Sequence, residues 1–477
     1  MKLPFLPFWS AQNFGQRPAI ISPRETISFN RLLRHIQTAV RALEHSGLDM
    51  GDRLAVEARP NIQVIGLLWA AMAKGIITVL MNPGLPQQTF DEQLNDLGCR
   101  LAYVSSQRIL PAGVSKFDWP AKVEASKQEN QRLPGTVSGD QPATIIFTSG
   151  SSGRPRAVLH AYRNHYFCAL GSNRNIPLRP GDRWMLSLPL FHVAGIAILF
   201  RAFLAGAAVV LPDSEHRLGE NILHFEPTHL SLVATQLGDL LGNAQTDRVL
   251  KKSKAMLMGG SAIPEKLLTE AFRRGWPLVL SYGSSEMSSQ ITATVPGAPF
   301  AEWKTSGRLL PFRELQIDRS GQIRVKGKTL FLGYWRGNRI ELPLDAHGWF
   351  STGDLGRIDA QGRLIVYGRK DRMFISGGEN IYPEEIERAL ERTGGIKRVV
   401  VVPVKHERFG WRPVAFVSRW DQLPPDEEKL KASLRTVLPG FKIPLRILPW
   451  PQDAPTGMKI DLQWFRQKAE DCLQTKG

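Results

Sequence analysis

Thr148 to Arg156 reads Thr-Ser-Gly-Ser-Ser-Gly-Arg-Pro-Arg, and its residue types suit one task, the gripping of phosphate. Thr148, Ser149, Ser151 and Ser152 bring hydroxyl donors. Gly150 and Gly153 let the backbone turn its N–H groups toward one point, a concavity that binds anions. Arg154 and Arg156 add positive charge. The segment is not a Walker A loop. No Gly-Lys-Ser/Thr ends it, and Pro155 blocks immediate continuation into a helix. Ala143-Thr-Ile-Ile-Phe147 is apolar and β-branched, which predicts a strand leading into the loop. Alone, the same composition would also serve as a polar linker.

Four further segments narrow the reading. They are Ser281-Tyr-Gly-Ser-Ser-Glu286, Ser351-Thr-Gly-Asp354, Tyr367-Gly-Arg-Lys-Asp-Arg372 running into Ser376-Gly-Gly-Glu-Asn-Ile-Tyr-Pro-Glu-Glu385, and Pro455-Thr-Gly-Met-Lys-Ile-Asp461. In this order the five resemble the adenylate-forming superfamily of acyl-CoA synthetases, luciferases and peptide-synthetase adenylation domains. The resemblance implies a two-step reaction. A carboxylate attacks the α-phosphorus of ATP and expels pyrophosphate, and a thiol, usually that of CoA, then attacks the acyl-adenylate. The first step brings two anions together, so catalysis rests on positioning and positive charge.

The resemblance also implies roles for residues of this chain. The loop at 148–156 holds the β- and γ-phosphates. Arg156 stands where lysine is common, so charge is kept while a planar fork replaces a point charge. Glu286 is the Mg²⁺ ligand, since Mg²⁺ takes oxygen ligands and often only one or two from protein; a solvated surface glutamate is the commoner fate of that residue type. Tyr282 packs on adenine beside Gly283, and Ser285 keeps the hydroxyl where threonine is usual. Gly259, Gly260 and Ser261 border adenine and the acyl pocket. Asp354 accepts from the ribose hydroxyls, against the alternative of a turn-forming aspartate. Arg369 is a second ribose or phosphate contact. Asp371 is the hinge on which a lid rotates between the two steps. Gly377 and Gly378 line the CoA tunnel, where a pantetheine arm needs close backbone approach. Lys459 swings in to bridge carboxylate and phosphate oxygens during adenylation. ATP, Mg²⁺ and CoA as co-substrate follow from the same resemblance.

The acid is addressed by a different set of residues. Leu186-Ser-Leu-Pro-Leu-Phe-His-Val-Ala-Gly195 resembles the superfamily's acyl-pocket segment, with His192 in a binding or gating position. That block looks like the corresponding part of the 2-succinylbenzoate–CoA ligases of menaquinone and phylloquinone biosynthesis. So do His160-Ala-Tyr-Arg-Asn-His165, Thr235-Gln-Leu, Gly259-Gly-Ser-Ala-Ile-Pro264, Ser288-Ser-Gln-Ile291 and Gly378-Glu-Asn-Ile-Tyr-Pro383. Other aryl or medium-chain acyl-CoA ligases share these blocks in part and stand as the alternative. A non-catalytic adenylate-binding or basic scaffold protein is the alternative from another class; Glu286, Asp354, Arg369 and Lys459 argue against it. 2-Succinylbenzoate carries a spectator carboxylate, whose burial needs a cation or several donors. Arg201, which interrupts the apolar run Val193 to Leu211, is the candidate. An arginine that snorkels from a core helix to the surface would leave the same trace.

The elements that must position these residues follow from periodicity. Residues 27–110 and 143–300 alternate helical and extended patterns, which implies an α/β architecture with largely parallel sheets. Phe29, Leu32, Leu33, Ile36 and Val40 recur at helical spacing, and Ile76 to Leu80 reads as a buried strand before a turn at Asn82-Pro-Gly84. Residues 111–142, with four prolines, read as a connecting segment. After residue 310 hairpin patterns appear around Ser320-Gly and Gln361-Gly. A helix follows from Pro383, a strand over Val399 to Val404, and a helical face at Leu430, Leu434, Val437 and Leu438 after Asp426. The expectation is a large N-terminal adenylation domain over 1–370, of mostly parallel sheets flanked by helices with a small β-barrel-like part. A small, mobile α+β lid spans 371–477.

Composition sets the outer bounds. The chain has 477 residues, 43% hydrophobic and 22% charged, ordinary for a globular enzyme. The net charge of +17 is dispersed, with no arginine-rich arm, and points to anionic small molecules rather than nucleic acid. Cys99, Cys168 and Cys472 are scattered and suggest no disulfide framework or zinc site, hence a reducing, cytoplasmic compartment. Pro4 and Pro7 break the apolar N-terminus, which reads as mature sequence. The apolar stretches Ile62 to Met81 and Val193 to Leu211 are interrupted by Lys74 and Arg201 and read as buried elements, not membrane spans. The oligomeric state is open, a homo-oligomer included.

Overall fold

The computed structural model describes residues 1–105, 107–119, 133–149, 155–337, 339–376, 379–455 and 460–474. By packing, the chain divides into two compact units. The first comprises Met1–Ser261, Ala271–Leu315 and Val325–Phe350; the second comprises Ala262–Glu270, Gln316–Arg324 and Ser351–Gly477.

Two large sheets build the first unit. In one, the strands Pro18–Ile21, Ala208–Val210, Arg183–Met185, His229–Leu232, Ala255–Met258 and Leu278–Ser284 lie side by side and parallel. Antiparallel strands close both edges, Thr26–Ser28 on one side and Ser289–Ala293 with Arg308–Leu309 on the other. In the second sheet Ser115–Lys116, Leu101–Tyr103, Arg53–Glu57, Ile77–Met81 and Pro142–Ser149 run parallel. Pro155–Ala161, Gly333–Arg336 and Arg339–Glu341 then continue it antiparallel. The strand expected before the phosphate loop is present, and the chain after it is a strand too, so Pro155 opens a β-element.

Helices fill the space against these sheets. Phe29–Glu44 buries Phe29, Leu32, Ile36, Ala39, Val40 and Leu43, the face its spacing demands, and the Ser28 hydroxyl accepts the Arg31 N–H at 3.3 Å to cap it. Ile62–Lys74 and Val193–Ala205 are apolar almost all round and accordingly buried. Trp69 joins them, its ring 4.7 Å from Phe200 and 5.3 Å from Phe203. An aromatic so enclosed contributes several kcal/mol, and its truncation to alanine costs about 3–5 kcal/mol. Among the described residues no helix is long and apolar enough to cross a membrane. The three cysteines are free.

The half-barrel-like part is a four-stranded sheet in the order Arg313–Ile317, Gln322–Gly327, Phe350–Ile358, Leu364–Arg369. In the second unit the long antiparallel ribbon of Ile396–His406 and Gly410–Arg419 is buried on both faces. Its period of two sorts the side chains. Val399, Val401, Ala415 and Val417 face a core with Ile386 and Leu390 of helix Pro383–Arg392 and Leu430 and Leu434 of helix Glu427–Arg435. Val400, Val402, Val404, Val414 and Phe416 face Phe465 and Ala469 of helix Leu462–Gln474. One reading of helical extent needs correction. The face running to Leu438 ends early, because the helix closes at Arg435 and Val437 is exposed just ahead of Pro439 and Gly440.

Candidate active site

The parallel strands of the first sheet deliver three of the expected segments at their carboxyl ends, the edge where open α/β sheets bind ligands. Arg183–Met185 runs into Leu186 to His192, Ala255–Met258 into Gly259, Gly260 and Ser261, and Leu278–Ser284 into Ser285 and Glu286. The middle and last of these strands are neighbours, with Met258 opposite Leu280. Gly260 has φ +90°, a conformation that favours glycine. Gly283 is required by crowding: a Cβ there would sit 1.9 Å from the Ser289 carbonyl oxygen. Tyr282 lies half-buried in the same strand, opposite Thr292.

The residues expected on the phosphate side, Thr148 and Arg156, come from the second sheet. Thr148 and Arg156 are directly opposite in the antiparallel pair Pro142–Ser149 and Pro155–Ala161. The next strand places Tyr334 opposite Val158. The Arg156 guanidinium lies 5.4 Å from the centroid of the Tyr334 ring, and the Tyr334 hydroxyl donates to Glu286 Oε1 at 2.8 Å. Burial and the Glu286 carboxylate push the Tyr334 phenol far up, so it remains a donor. The backbone around Glu286 is pinned as well. Its carbonyl accepts the Phe331 N–H at 2.8 Å, and the Ser285 carbonyl accepts His160 Nε2–H at 2.7 Å. Burial pushes His160 down to about 4, so the imidazole is neutral and Nε2 carries the proton. His165, 4.9 Å away between ring centroids, is lowered by burial too and meets the Thr144 hydroxyl through Nε2 at 2.8 Å.

Glu286 suits Mg²⁺. It is a hard oxygen donor with one oxygen held by a neutral hydroxyl, and among the described residues no cation lies within ion-pair distance of it. Among the described residues no cluster of three acidic, histidine or cysteine side chains forms a protein cage. A site of this kind uses one carboxylate and leaves the remaining positions to phosphates and water.

Of the residues expected to meet the acid, His192 immediately precedes helix Val193–Ala205, and its ring lies 4.6 Å from that of Phe191. Arg201, on the same helix, does not snorkel: it is 1% exposed. Its Nη2 donates to Gln290 Oε1 at 2.8 Å and reaches Ser289 Oγ at 3.4 Å, and its guanidinium lies 5.3 Å from the Trp184 ring centroid. No carboxylate pairs with it among the described residues, and Arg201 Nε and Gln290 Nε2 have no hydrogen-bond partner. Arg313, 5% exposed, donates to the Gln290 carbonyl at 2.6 Å and to Cys168 Sγ at 3.2 Å. Burial lowers both guanidinium pKa values. A cavity of about 330 Å³ abuts the Leu186–Phe191 loop, lined also by Ala58, Arg59 and Pro83.

The second unit holds its own group. Asp354 and Arg369 are opposite in the antiparallel pair Phe350–Ile358 and Leu364–Arg369. Arg369 Nη1 reaches Asp354 Oδ1 at 3.5 Å and donates to the Thr352 carbonyl at 3.0 Å, while Nε and Nη2 meet the two oxygens of Asp371. Gly353 has φ +80°, and a Cβ there would lie 2.9 Å from Arg369 Nη2.

Gly150, Ser151, Ser152, Gly153, Gly377, Gly378 and Lys459 lie outside the described residues, as does the side chain of Ser149. Three residues that touch the expected site residues carried no assigned role in the sequence. His160 and Gln290 stand inside recognisable blocks, but their partners are 125 and 89 residues away. Tyr334 has no local signal at all.

Comparison with known proteins identifies the family. Residues 7–335 match the AMP-binding enzyme family and residues 385–455 the AMP-binding enzyme C-terminal domain. A 2-succinylbenzoate–CoA ligase of Geobacillus kaustophilus (strain HTA426) is 31% identical over 465 residues, covering 93% of this chain and 93% of its own. One from Bacillus licheniformis is 31% identical over 459 residues, covering 92% of this chain and 94% of its own. The o-succinylbenzoate CoA synthetase of Bacillus subtilis, solved with the acyl-adenylate intermediate OSB-AMP, superposes with a TM-score of 0.86 at 28% identity over 99% of both chains. The same enzyme solved with ATP and magnesium ion gives a TM-score of 0.86 at 28% identity over 98% of this chain and 99% of that one. The chain belongs to the AMP-binding enzyme family.

Proposed function

We propose that this chain is an AMP-forming acid–thiol ligase that converts 2-succinylbenzoate to its CoA thioester, a step of quinone biosynthesis. ATP, Mg²⁺ and CoA serve the reaction. In the first step a substrate carboxylate oxygen attacks the α-phosphorus, the bond to the bridging oxygen breaks, and pyrophosphate leaves with its electron pair. In the second the CoA thiolate attacks the acyl carbonyl, AMP leaves, and the thiol proton passes to solvent. Bound Mg²⁺ supplies charge neutralisation at the triphosphate.

The chain's own residues position and screen. Arg156, with Thr148, Ser149, Ser151, Ser152 and the backbone at Gly150 and Gly153, holds the β- and γ-phosphates, and Lys459 bridges the attacking carboxylate and the phosphate. Glu286 takes the metal. Tyr282, Gly283 and Ser285, with Gly259, Gly260 and Ser261, enclose the adenine side. Asp354 and Arg369 receive the ribose. A lid from about residue 371 turns at Asp371, and Gly377 and Gly378 then admit the pantetheine arm. The three free thiols accord with a reducing cytoplasm.

The observation that carries the choice of acid is Arg201. A guanidinium 1% exposed, held by an amide oxygen and not by a carboxylate, is a buried charge awaiting an anion. The free carboxylate of a diacid supplies one; a monoacid does not. An assay of acyl-CoA and AMP formation over a panel of acids tests the reading. 2-Succinylbenzoate should lead benzoate, octanoate and a 2-succinylbenzoate analogue lacking the ring carboxylate. Preference for a monoacid overturns the substrate while leaving the adenylate chemistry standing.

A further inference from the structure

Arg156 and Glu286 come from different segments of the first unit, yet one side chain touches both. The Tyr334 ring lies under the Arg156 guanidinium at 5.4 Å, and its hydroxyl donates to Glu286 Oε1 at 2.8 Å. The contact suits arginine better than lysine, because a planar guanidinium stacks on a ring face. Tyr334 is itself fixed. Its strand pairs on one side with Pro155–Ala161 and on the other with Arg339–Glu341, and its ring packs edge-on against Phe331 at 4.9 Å. Phe331 in turn donates its N–H to the Glu286 carbonyl. The phosphate-side cation and the metal-side carboxylate are thus referenced to one rigid phenol.

The geometry points to Tyr334 as a positioning residue for adenylation. Its hydroxyl occupies one oxygen of Glu286 and leaves the other for a metal, while its ring braces the Arg156 guanidinium. The inference rests on the adenylate-forming reading but not on the identity of the acid. Three charged species must meet at the triphosphate, and their mutual placement decides whether metal and ATP bind as one unit. A hydroxyl on one oxygen of the carboxylate restricts its rotation without adding charge.

ATP binding, measured by calorimetry with no acid present and both with and without Mg²⁺, tests this on the full chain. Tyr334→Phe keeps the ring and removes one hydroxyl. It should weaken ATP binding in Mg²⁺ by about tenfold, the scale of a hydrogen bond to a charged group, and leave metal-free ATP binding unchanged. Tyr334→Leu also removes the ring and should weaken both. In a Glu286→Gln background Tyr334→Phe should add little further loss. Equal loss with and without Mg²⁺ in Tyr334→Phe, or additive losses in the double variant, would assign Tyr334 a purely structural role and overturn the inference. Should Tyr334→Phe fail to fold, Arg156→Lys carries the test. It lifts the planar group off the ring and should lower affinity in Mg²⁺ several-fold, whereas unchanged affinity overturns the coupling. Wild-type protein that binds ATP no more tightly with Mg²⁺ would overturn the adenylation reading along with it. A failed acid panel would touch neither.

Discussion

Arg369 grips Asp371 with two nitrogens, Nε to Oδ1 and Nη2 to Oδ2, each at 3.1 Å, while its Nη1 reaches back to Asp354 at 3.5 Å. One step further along the chain, Arg372 pairs with Glu384 at 3.0 Å and Glu387 at 2.6 Å on the helix Pro383–Arg392. Asp371 therefore sits between an arginine tied back to the hairpin and an arginine tied forward to the helix. Burial works against its charge, but the paired Arg369 outweighs this and holds the carboxyl below its usual range.

A hinge at this point predicts unequal damage to the two half-reactions. Asp371→Pro fixes φ and removes the clasp, whereas Asp371→Ala removes the clasp alone. The proline variant should retain acyl-AMP formation far better than thioester formation, and the alanine variant should fall between it and wild type. Rapid-quench measurement of each half-reaction checks this. A proline variant with full overall activity would remove Asp371 from the hinge.

Lys459 predicts the opposite imbalance. Lys459→Ala should cut acyl-AMP formation by about 10²-fold or more, the scale of one transition-state charge contact, and spare thioester formation from supplied acyl-AMP. Equal loss of both steps would count against a lysine that acts in one pose only.

The buried charge of Arg201 can be removed or cancelled. Arg201→Ala should raise KM for 2-succinylbenzoate by about tenfold or more and abolish its advantage over the analogue without the ring carboxylate. Gln290→Glu places a carboxylate where an amide oxygen now lies 2.8 Å from the guanidinium. It should weaken diacid binding while leaving the protein as stable as wild type or more so, since the buried cation gains a counter-ion. Steady-state kinetics and thermal denaturation separate the two effects.

Acid should unfold the first unit through its histidines. His160 and His229 are lowered to about 4, and His165 is lowered well below the ordinary histidine value, in each case chiefly by burial. The unfolded chain takes up these protons first, so stability is complete above the ordinary histidine value and falls as pH drops from about 6.5 toward 4. For His160 the loss is on the order of 3 kcal/mol by pH 4. His160→Asn, which retains an N–H donor, should flatten the slope in denaturant titrations between pH 7 and pH 5; an unchanged slope would exclude His160 as a source.

Much of this was legible because it is local. The stripe Phe29, Leu32, Ile36, Val40 with Ser28 ahead of it specifies a capped helix within one window, and the run Ala143 to Phe147 specifies a strand. The alternation in the Ile396–His406 ribbon is hidden, because both faces are buried and the sequence reads as continuous valine. The candidate site was legible where residues cluster in one segment, as in Ser281 to Glu286. Its supports were not. Tyr334 meets Glu286 across 48 residues, and His160 meets the Ser285 carbonyl across 125, so only the folded sheets bring them together. The Gly150 to Gly153 stretch and Lys459, prominent in the sequence, lie outside the described residues.

On the proposed reading, Arg201 would also tie substrate supply to durability. A protein that keeps an unmatched cation in its core is less stable alone than when an anion completes it, so its ligand acts as a missing piece of the interior. Saturation at about 100 times Kd adds roughly 2.7 kcal/mol. At equal concentration the diacid should therefore protect the chain against heat and proteolysis more than a weaker-binding monoacid does. In a cell, enzyme abundance would then rise and fall with the pool of the acid it consumes.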